Sequence, residues 1–408
     1  MSMPNAARIL IGLALGLVLG TLGAWLGWPM EGALAIAGTV GGLWLDALRM
    51  TIVPLVVSLI VTGIAGAAAT AGAGGLTRRA FTLFAVLLFA SAVTAALLGP
   101  LLLGAWTPPA GAVEALQAGL GAAEAPPVPP AGEWIRSLIP ANVVSAAAEG
   151  AIVPLTLFAL LFGIAASRLP EESRARVLDL FQAVADTLLV IVRWVLLLAP
   201  FGVAALGFGV GAKLGLGAGA VLAHYVAVQI AVIALIGLAM YGVAVALGGV
   251  KLGDFARAAA PAQAVAFSTQ SSLASMPPMI AGAEKLGLKP GVPAVVLPLA
   301  VAVFRIAAPS SIVIVVLALA RINGVEIGWG SMALVVAMAT LNTLVIAGLP
   351  NQITFFAAYA PPALAAGVPI ELLPLFLAID TIPDMFYTVG NVTADLAVTA
   401  AVGREEQA

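Results

Sequence analysis

The chain has 408 residues, of which 62% are hydrophobic and only 9% charged, with a formal net charge of −2 and no cysteine. Soluble domains carry charge on about a quarter of their residues, so this composition excludes a soluble globular fold. The absence of cysteine excludes disulfides and thiolate metal sites, and the near-neutral charge gives no indication of nucleic-acid binding.

Uncharged runs long enough to cross a hydrocarbon core recur from the N-terminus onward, which predicts a bundle of membrane-spanning helices. The first run follows Arg8 and could be a secretory signal peptide, but it exceeds the usual apolar core of one and many spans follow it. We therefore interpret it as a mature first span. No G-x-x-x-x-G-K-[ST] sequence occurs, so nothing suggests ATP hydrolysis. The clearest runs cover residues 9–28, 51–77, 80–113, 194–212 and 214–250.

The basic residues indicate how the spans are oriented. With the N-terminus inside, only Arg136, Lys213 and Arg321 fall on the external side. Under the positive-inside rule, this bias predicts a multi-pass protein of the plasma (inner) membrane with both termini in the cytoplasm. The stretch 106–133, rich in proline, glycine and alanine, is predicted to be an external loop. The residues assigned to the cytoplasmic side are Arg8, Arg78, Arg79, Arg168, Arg174, Arg176, Lys251, Arg257, Lys285, Lys289 and Arg404.

Proline and serine interrupt the apolar pattern after Arg257, over residues 258–284. Prolines stand at 261, 277 and 278, and the polar run Ser-Thr-Gln-Ser-Ser occupies 268–272. Polar, non-helical backbone at membrane depth is tolerated only inside protein or beside a water-filled cavity. The pattern predicts a first helical hairpin whose tip includes Ser271 and Ser272.

A second interrupted segment, residues 327–370, is about twice as long as one bilayer crossing requires. Its centre at 347–352 has the turn-like sequence Ala-Gly-Leu-Pro-Asn-Gln, with Gly348 and Leu349 at the tip. Two interrupted segments at related places in a chain are typical of the midplane binding site of a secondary transporter. The alternative is that both are ordinary proline-kinked helix pairs with short loops.

Five polar residues are spaced along the final span, which is predicted to run from residue 371 to 402. Their separations of four, four, three and four place them on one face of a helix. Carboxylates facing lipid would be costly, so this face must meet a cavity, a cation or a basic partner. Carboxylate and amide oxygens also suit hard cations and substrate ammonium groups. The five are Asp380, Asp384, Thr388, Asn391 and Asp395.

The order of these features resembles the dicarboxylate/amino acid:cation symporter family, the glutamate transporter homologues. The resemblance extends from residue 266 to the C-terminus and includes the sequence Arg-Met-Thr-Ile-Val-Pro-Leu at 49–55. Its most specific part is residues 384–395, Asp-Met-Phe-Tyr-Thr-Val-Gly-Asn-Val-Thr-Ala-Asp. The family typically has D-x-x-R-T-x-x-N-V-x-G-D there.

This resemblance implies an all-α polytopic membrane protein with eight transmembrane helices plus two re-entrant helical hairpins, in an elevator-type transporter fold. It implies a homotrimer among membrane lipids, in which a scaffold holds a mobile transport domain. The scaffold would comprise residues 1–78, with spans 1 and 2, and 134–212, with spans 4 and 5. The transport domain would comprise 79–105, which is span 3, and 213–408, with span 6, both hairpins and spans 7 and 8.

The resemblance also implies roles for individual residues in binding a small-molecule substrate. Asp384 would bind an amino group, Thr388, Asn391 and the first hairpin tip would hold carboxylate or polar groups, and the second tip would be the external gate. The residues assigned to the substrate are Ser271, Ser272, Gly348, Leu349, Asp384, Tyr387, Thr388 and Asn391.

The only further ligand that the resemblance implies is the coupling cation, either sodium or a proton. It implies no cofactor and no enzyme activity. Asn391 and Asp395 would match residues that help to coordinate sodium. Asp380 and Asp395 are the candidates for proton coupling.

Two departures from the family pattern bear on substrate and cation. Tyr387 stands where the family has an arginine that pairs with an acidic substrate side chain, and this favours a neutral amino acid or another small carboxylate over glutamate or aspartate. In the seventh span, residues 304–308, Phe-Arg-Ile-Ala-Ala, replace the N-M-D-G-T motif that supplies sodium ligands.

Arg305 places a permanent positive charge where the cation sites are expected. We hypothesise that it pairs with Asp380, Asp384 or Asp395 and replaces a bound sodium, leaving transport proton-coupled or uncoupled. Alternatively, Arg305 binds the substrate carboxylate, or it snorkels toward an interface.

Other function classes fit less well. A channel would need a continuous polar pathway, whereas polar groups concentrate at two hairpins and one helix. A hydrolase using Ser271 or Ser272 would need a base, and nothing places His224, the only histidine, near them. His224 is either a proton relay or an inter-helix hydrogen-bonding group. A homologue that binds substrate without transporting it is a further alternative. Asp46 and Arg49 are interpreted as forming ion pairs or contacting lipid headgroups.

Overall fold

The computed structural model describes residues 5–71, 75–105, 139–215, 217–345 and 351–405. Over these ranges the chain forms helices joined by short connections, with no strand. The prediction of an all-α fold is therefore confirmed for this part of the chain. The helices of its first half are α1 (Asn5–Trp25), α2 (Glu31–Ala71), α3 (Gly75–Ala105), α4 (Val143–Ala148), α5 (Ile152–Ser167), α6 (Glu171–Leu197), α7 (Ala199–Leu214) and α8 (Gly217–Ala246).

The second half has shorter helices, because prolines and glycines interrupt it repeatedly. Gly324, for example, ends a helix in the left-handed conformation with φ 68°. These helices are α9 (Leu252–Thr269), α10 (Met276–Lys285), α11 (Gly291–Val303), α12 (Ala307–Asn323), α13 (Trp329–Val345), α14 (Asn351–Ala365), α15 (Leu373–Ile379) and α16 (Thr381–Glu405).

Seven helical stretches among the described residues are long and apolar enough to cross a membrane. They include α1, α3, α6, α8 and α16, most of α2, and α11 with α12 together. The chain is thus a multi-pass membrane protein. The sequence predicted eight transmembrane helices, one more than this number. The apolar helix α5 has 16 residues and is shorter than the roughly 17–25 residues usual for a spanning helix.

The helices pack into two sets. In the first set, α2 packs on α5, α6 and α7, and α1 lies along α7. In the second set, α16 packs on α8, α9 and α11, while α3 packs on α12 and α13. The sets meet where α13 and α14 contact α2 and where α15 contacts α1 and α7. That these sets are a scaffold and a transport domain stays a prediction.

Glycines allow α1 and α7 to approach closely. Gly12, Gly16 and Gly20 lie one turn apart, and a Cβ added at Gly16 would come within 2.2 Å of the Ala204 carbonyl oxygen. Small residues at this spacing let membrane helices pack backbone against backbone. The first set is therefore held together mainly by close packing of apolar helices.

Several sequence-based boundaries differ from the structure. The run predicted at 194–212, for example, crosses the junction between α6, which ends at Leu197, and α7, which begins at Ala199. The run predicted to start at residue 51 belongs to a helix that begins at Glu31. The charges of Asp46 and Arg49 interrupt the uncharged run but not the helix, in which the two side chains lie 3.8 Å apart. The single final helix predicted over 371–402 is instead α15 and α16, joined at Asp380. Pro383 lies in the first turn of α16 and has no N–H to donate to the preceding turn, which favours this break.

Candidate functional site

The tip of the first hairpin lies between α9 and α10, at residues 270–275. Gln270 ends α9 in the left-handed conformation with φ 53°, and Pro277 and Pro278 begin α10. Within the tip, Ser271 Oγ accepts a hydrogen bond from the Ala274 N–H at 3.2 Å, and the Ser275 hydroxyl donates to the Ser271 carbonyl at 3.0 Å. The predicted pair of short helices with a serine-rich tip is confirmed.

A hydrogen bond from Gln270 connects this tip to the final helix. Its side-chain Nε2 donates to the carbonyl oxygen of Thr381, the first residue of α16, at 3.0 Å. Ser271 and Ser272, both partly buried, are thereby placed beside the start of α16. The sequence analysis emphasised the serines and missed Gln270, although its position within the polar run was the available signal.

The second hairpin is formed by α13 and α14. Asn342 Nδ2 on α13 donates to the Ala358 carbonyl on α14 at 3.1 Å, which ties the two arms together. Gly348 and Leu349, the predicted gate residues, lie outside the described residues. The helix pair is therefore observed, and the role of its tip stays a prediction.

The seventh span is broken between α11 and α12, at residues 304–306. Ser91 on α3 donates to the Ile306 carbonyl at 2.6 Å, which satisfies one backbone group that the break leaves free of helical bonding. Phe304 is buried and stacks on Phe84 with ring centroids 4.6 Å apart. Arg305, which is partly buried, thus extends from non-helical backbone inside the bundle.

The polar stripe that runs from Asp380 along α16 is mostly buried in protein. Asp395 is fully buried, Asp380, Thr388 and Asn391 are buried, and Asp384 is partly exposed. The Thr388 hydroxyl donates to the Asp384 carbonyl at 2.8 Å, so its proton is used within the helix. The site also has a neighbour that the sequence analysis did not consider: Thr393 accepts from Gln263 Nε2 of the first hairpin at 2.7 Å.

Asn391 connects the stripe to the broken span. Its Oδ1 accepts from the N–H of Ala307, the first residue of α12, at 3.1 Å. An N–H in the first turn of a helix has no intrahelical partner, so this contact caps α12 from another helix. It also uses one of the two lone pairs of the amide oxygen, the atom of Asn391 that would bind a cation.

Asp395 is the most unusual group in the site. Its side chain is fully buried, and neither carboxylate oxygen has a hydrogen-bond partner among the residues that the structure describes. The positive charge of Arg305 acts on it electrostatically. A buried carboxylate needs a cation, a proton or a basic partner, because burying a lone charge is very costly.

Tyr387 lies in the same electrostatic environment. It is buried, and the charges of Arg305, Asp384 and Asp380 all act on it. Tyr387 and Arg305, the two residues at which this sequence departs from the family pattern, therefore lie within electrostatic range of each other. From the sequence we hypothesised that Arg305 pairs with one of the aspartates or, alternatively, that it takes over from the arginine that Tyr387 replaces.

Sequence comparisons decide the family. The profile of the sodium:dicarboxylate symporter family matches residues 6–405. The chain belongs to this symporter family. The proton/sodium-glutamate symport protein of Bacillus subtilis is 26% identical over 412 residues, covering 98% of this chain and 92% of the relative. The proton/glutamate-aspartate symporter of Escherichia coli is 26% identical over 414 residues, covering 98% and 92%. The C4-dicarboxylate transport protein of Rhizobium johnstonii is 25% identical over 406 residues, covering 98% and 88%.

Behind the stripe of this symporter homologue lies a buried polar cluster that the sequence analysis missed. Gln229 Nε2 on α8 donates to the Ser311 hydroxyl on α12, which in turn lies 2.8 Å from the Tyr359 hydroxyl on α14. The charge of Asp380 acts on Tyr359 and on Tyr225. The cluster extends the polar interior of the site from the final helix to the second hairpin.

His224 lies outside this cluster. It is buried, close to the backbone of Leu103 on α3 and within electrostatic range of Arg321. These neighbours favour a contact between helices over a proton relay.

Proposed function

We propose that the chain is a secondary active symporter that moves a small amino acid or dicarboxylate across the plasma (inner) membrane. The family match over nearly the whole chain supports this proposal, as do the names of the relatives, which transport glutamate, aspartate or C4-dicarboxylates. A membrane bundle with two helix pairs beside a buried polar stripe is the kind of interior that such a carrier requires.

The observation that carries the proposal is Asp395. A fully buried carboxylate without hydrogen bonds is expensive in a protein that only needs to be stable, but useful in one that takes up and releases a coupling ion. Its position on the same helix as Asp384, which would bind the substrate amino group, would connect ion binding to substrate binding.

Arg305 determines which coupling ion we propose. Its charge acts on Asp395, so the guanidinium provides a fixed positive charge that other members would obtain from bound sodium. Asn391 Oδ1 is engaged by Ala307, which leaves fewer oxygen ligands for sodium at this position. Transport would therefore be independent of sodium, and either coupled to protons through Asp380 or Asp395 or uncoupled.

Tyr387 bears on the substrate. A tyrosine hydroxyl is neutral and lacks the planar fork with which arginine binds a second carboxylate. The substrate would then be a neutral amino acid or another small carboxylate rather than glutamate or aspartate. Arg305 is the second candidate for binding a substrate carboxylate, because its charge acts on Tyr387.

The mechanism we propose is an elevator movement in a homotrimer, with the second helix set as the moving unit and both termini in the cytoplasm. Ser271 and Ser272 would contact the substrate from one side. Gly348 and Leu349 would gate it from the other.

Uptake into proteoliposomes tests this function. Purified protein is reconstituted, and uptake of amino acids and dicarboxylates is measured under an inward sodium gradient, an inward proton gradient or neither. Saturable, concentrative uptake of a neutral amino acid or small carboxylate without sodium is expected. Non-saturable flux would instead indicate a channel. Binding without uptake would indicate a homologue that binds substrate but does not transport it.

A further inference from the structure

An ion pair joins the two helix sets. Arg49 of α2 and Glu371, which lies just before α15, are 2.6 Å apart between a guanidinium nitrogen and Oε1. The side chains are 34% and 51% exposed, so the pair is partly shielded from water. The two residues are 322 positions apart in the chain. Any movement of one helix set along the other must break this contact.

The position of the pair along α2 is informative. Arg49 follows Glu31, the first residue of α2, by 18 positions (49 − 31), which corresponds to about 27 Å along the helix. It therefore lies near the middle of this 41-residue helix. Glu371 opens the final span, whose other end is predicted to be cytoplasmic, yet it lies beside the middle of α2 and not beside its outer end at Glu31.

The outer parts of α2 and α7 flank a crevice of about 290 Å³ above this contact. Gly41 of α2 lies beside Leu206 of α7, and Trp44 lies beside Gly202, so the two helices run antiparallel. Lys213 therefore lies at the end of the crevice that is farther from Arg49. The crevice is lined mainly by apolar side chains, with Lys213 and Glu371 as its charged members.

From this arrangement we propose that Glu371 is a two-position ionic switch of the elevator: it pairs with Arg49 when the moving unit is lowered toward the cytoplasm and with Lys213 when the unit is raised. The structure described is the lowered position. Raising the unit brings residues 371–375 along the outer parts of α2 and α7 and closes the crevice. This inference rests on the proposed transport function, whose moving unit it assumes.

Labelling of a cysteine in the crevice measures the two positions. The chain has no cysteine of its own, so Ala37→Cys, at a position lining the crevice, is a unique reporter. A membrane-impermeant maleimide is added outside reconstituted vesicles, and the labelling rate follows the fraction of lowered units. Removing the pair with Arg49→Gln is expected to slow labelling roughly two- to fivefold, the range typical of a partly exposed ion pair.

Charge reversal separates the pair from a general loss of structure. The combination of Arg49→Glu with Glu371→Arg is expected to label at least as fast as the reporter protein, because the lowered pair forms again while a basic residue at position 371 cannot pair with Lys213. Asp46→Asn is the matched control, because Asp46 also lies beside Arg49, at 3.8 Å, but on the same helix. It is expected to leave the rate unchanged. Lys213→Gln, which removes the raised partner, is expected not to slow labelling.

Equal labelling rates in Arg49→Gln, Asp46→Asn and the reporter protein would overturn the switch. A charge-reversed protein that is labelled no faster than the Arg49→Glu variant would overturn it as well. Should Arg49→Gln fail to fold, Arg49→Met removes the same pair, leaves Glu371 able to pair with Lys213, and carries the same expectation. Uptake is measured on the same vesicles. If the vesicles take up substrate but the labelling rate does not depend on the ion pair, the switch alone is refuted. If the labelling rate depends on the ion pair but no substrate is taken up, the proposed function is refuted and the switch stands.

Discussion

Asn391 Oδ1 accepts a hydrogen bond from the Ala307 N–H at 3.1 Å, which joins the polar stripe of α16 to the break in the seventh span. The contact fixes the position of Arg305, two residues before Ala307, relative to the aspartates of the final helix. The proposed effect of the Arg305 charge on Asp395 depends on this hydrogen bond.

Asn391→Ala should lower the stability of the protein by about 1–3 kcal/mol, because the buried Ala307 N–H loses its acceptor. Thermal unfolding in detergent measures this. Asn323→Ala is the matched control, since Asn323 Nδ2 bonds the Leu319 carbonyl of its own helix, at 2.8 Å. Equal melting temperatures for the two variants would contradict a capping role for Asn391.

Gly16→Ala should destabilise the first helix set by about 1–3 kcal/mol, since the new Cβ would lie 2.2 Å from the Ala204 oxygen and the helices would have to separate. The measurement is again thermal unfolding. At Gly42 an added Cβ meets nothing within 4 Å, so Gly42→Ala is the control and should leave the melting temperature unchanged or slightly raised. A harmless Gly16→Ala would show that α1 and α7 pack less closely than described.

Tyr387→Arg should shift substrate preference toward dicarboxylates and acidic amino acids by tenfold or more, about 1.4 kcal/mol or above, because a guanidinium can hold a second carboxylate by two hydrogen bonds. Competition between a neutral and an acidic substrate measures the shift. Since the charge of Arg305 already acts on this position, the shift should be larger when Tyr387→Arg is combined with Arg305→Met. Tyr387→Phe, which removes only the hydroxyl, is the control and should not favour acidic substrates. If Tyr387→Arg leaves the substrate preference unchanged, the substrate binds elsewhere.

Asp395→Asn should abolish concentrative uptake while substrate exchange across the membrane continues, because exchange does not require the coupling ion to be released. Uptake and exchange are compared in the same vesicles. Asp254→Asn is the control, as Asp254 is exposed and pairs with Arg257 at 2.7 Å near the start of α9. Unchanged concentrative uptake in Asp395→Asn would remove this residue from the coupling mechanism.

Local patterns predicted much of the site. The prolines and serines of the first hairpin predicted its break, and the spacing of the polar residues predicted that Asp395 shares one helix face with Asp384, Thr388 and Asn391. Pro383 could have predicted the split of the final span, but the regular spacing of the stripe favoured one continuous helix. In each case the signal lies within a few turns of the residue concerned.

Contacts between distant parts of the chain were not predictable in this way. Gln229 and Ser311 are 82 positions apart, and no local pattern indicates that a lone glutamine in one apolar span meets a serine in another. Likewise, Arg49 could be assigned to an ion pair or to lipid headgroups, but only the tertiary structure, which places Glu371 Oε1 2.6 Å from its guanidinium, identifies the partner. Tertiary packing determines these pairs.

The most direct test of the account is the ratio of uptake with sodium to uptake without it, in the native protein and in Arg305→Met, with Arg321→Met as a control at the end of α12. If Arg305 replaces a bound cation, the native ratio should be close to one. Arg305→Met should lose uptake in the absence of sodium and recover part of it when sodium is added, while Arg321→Met behaves as the native protein. A native protein that requires sodium would contradict the account.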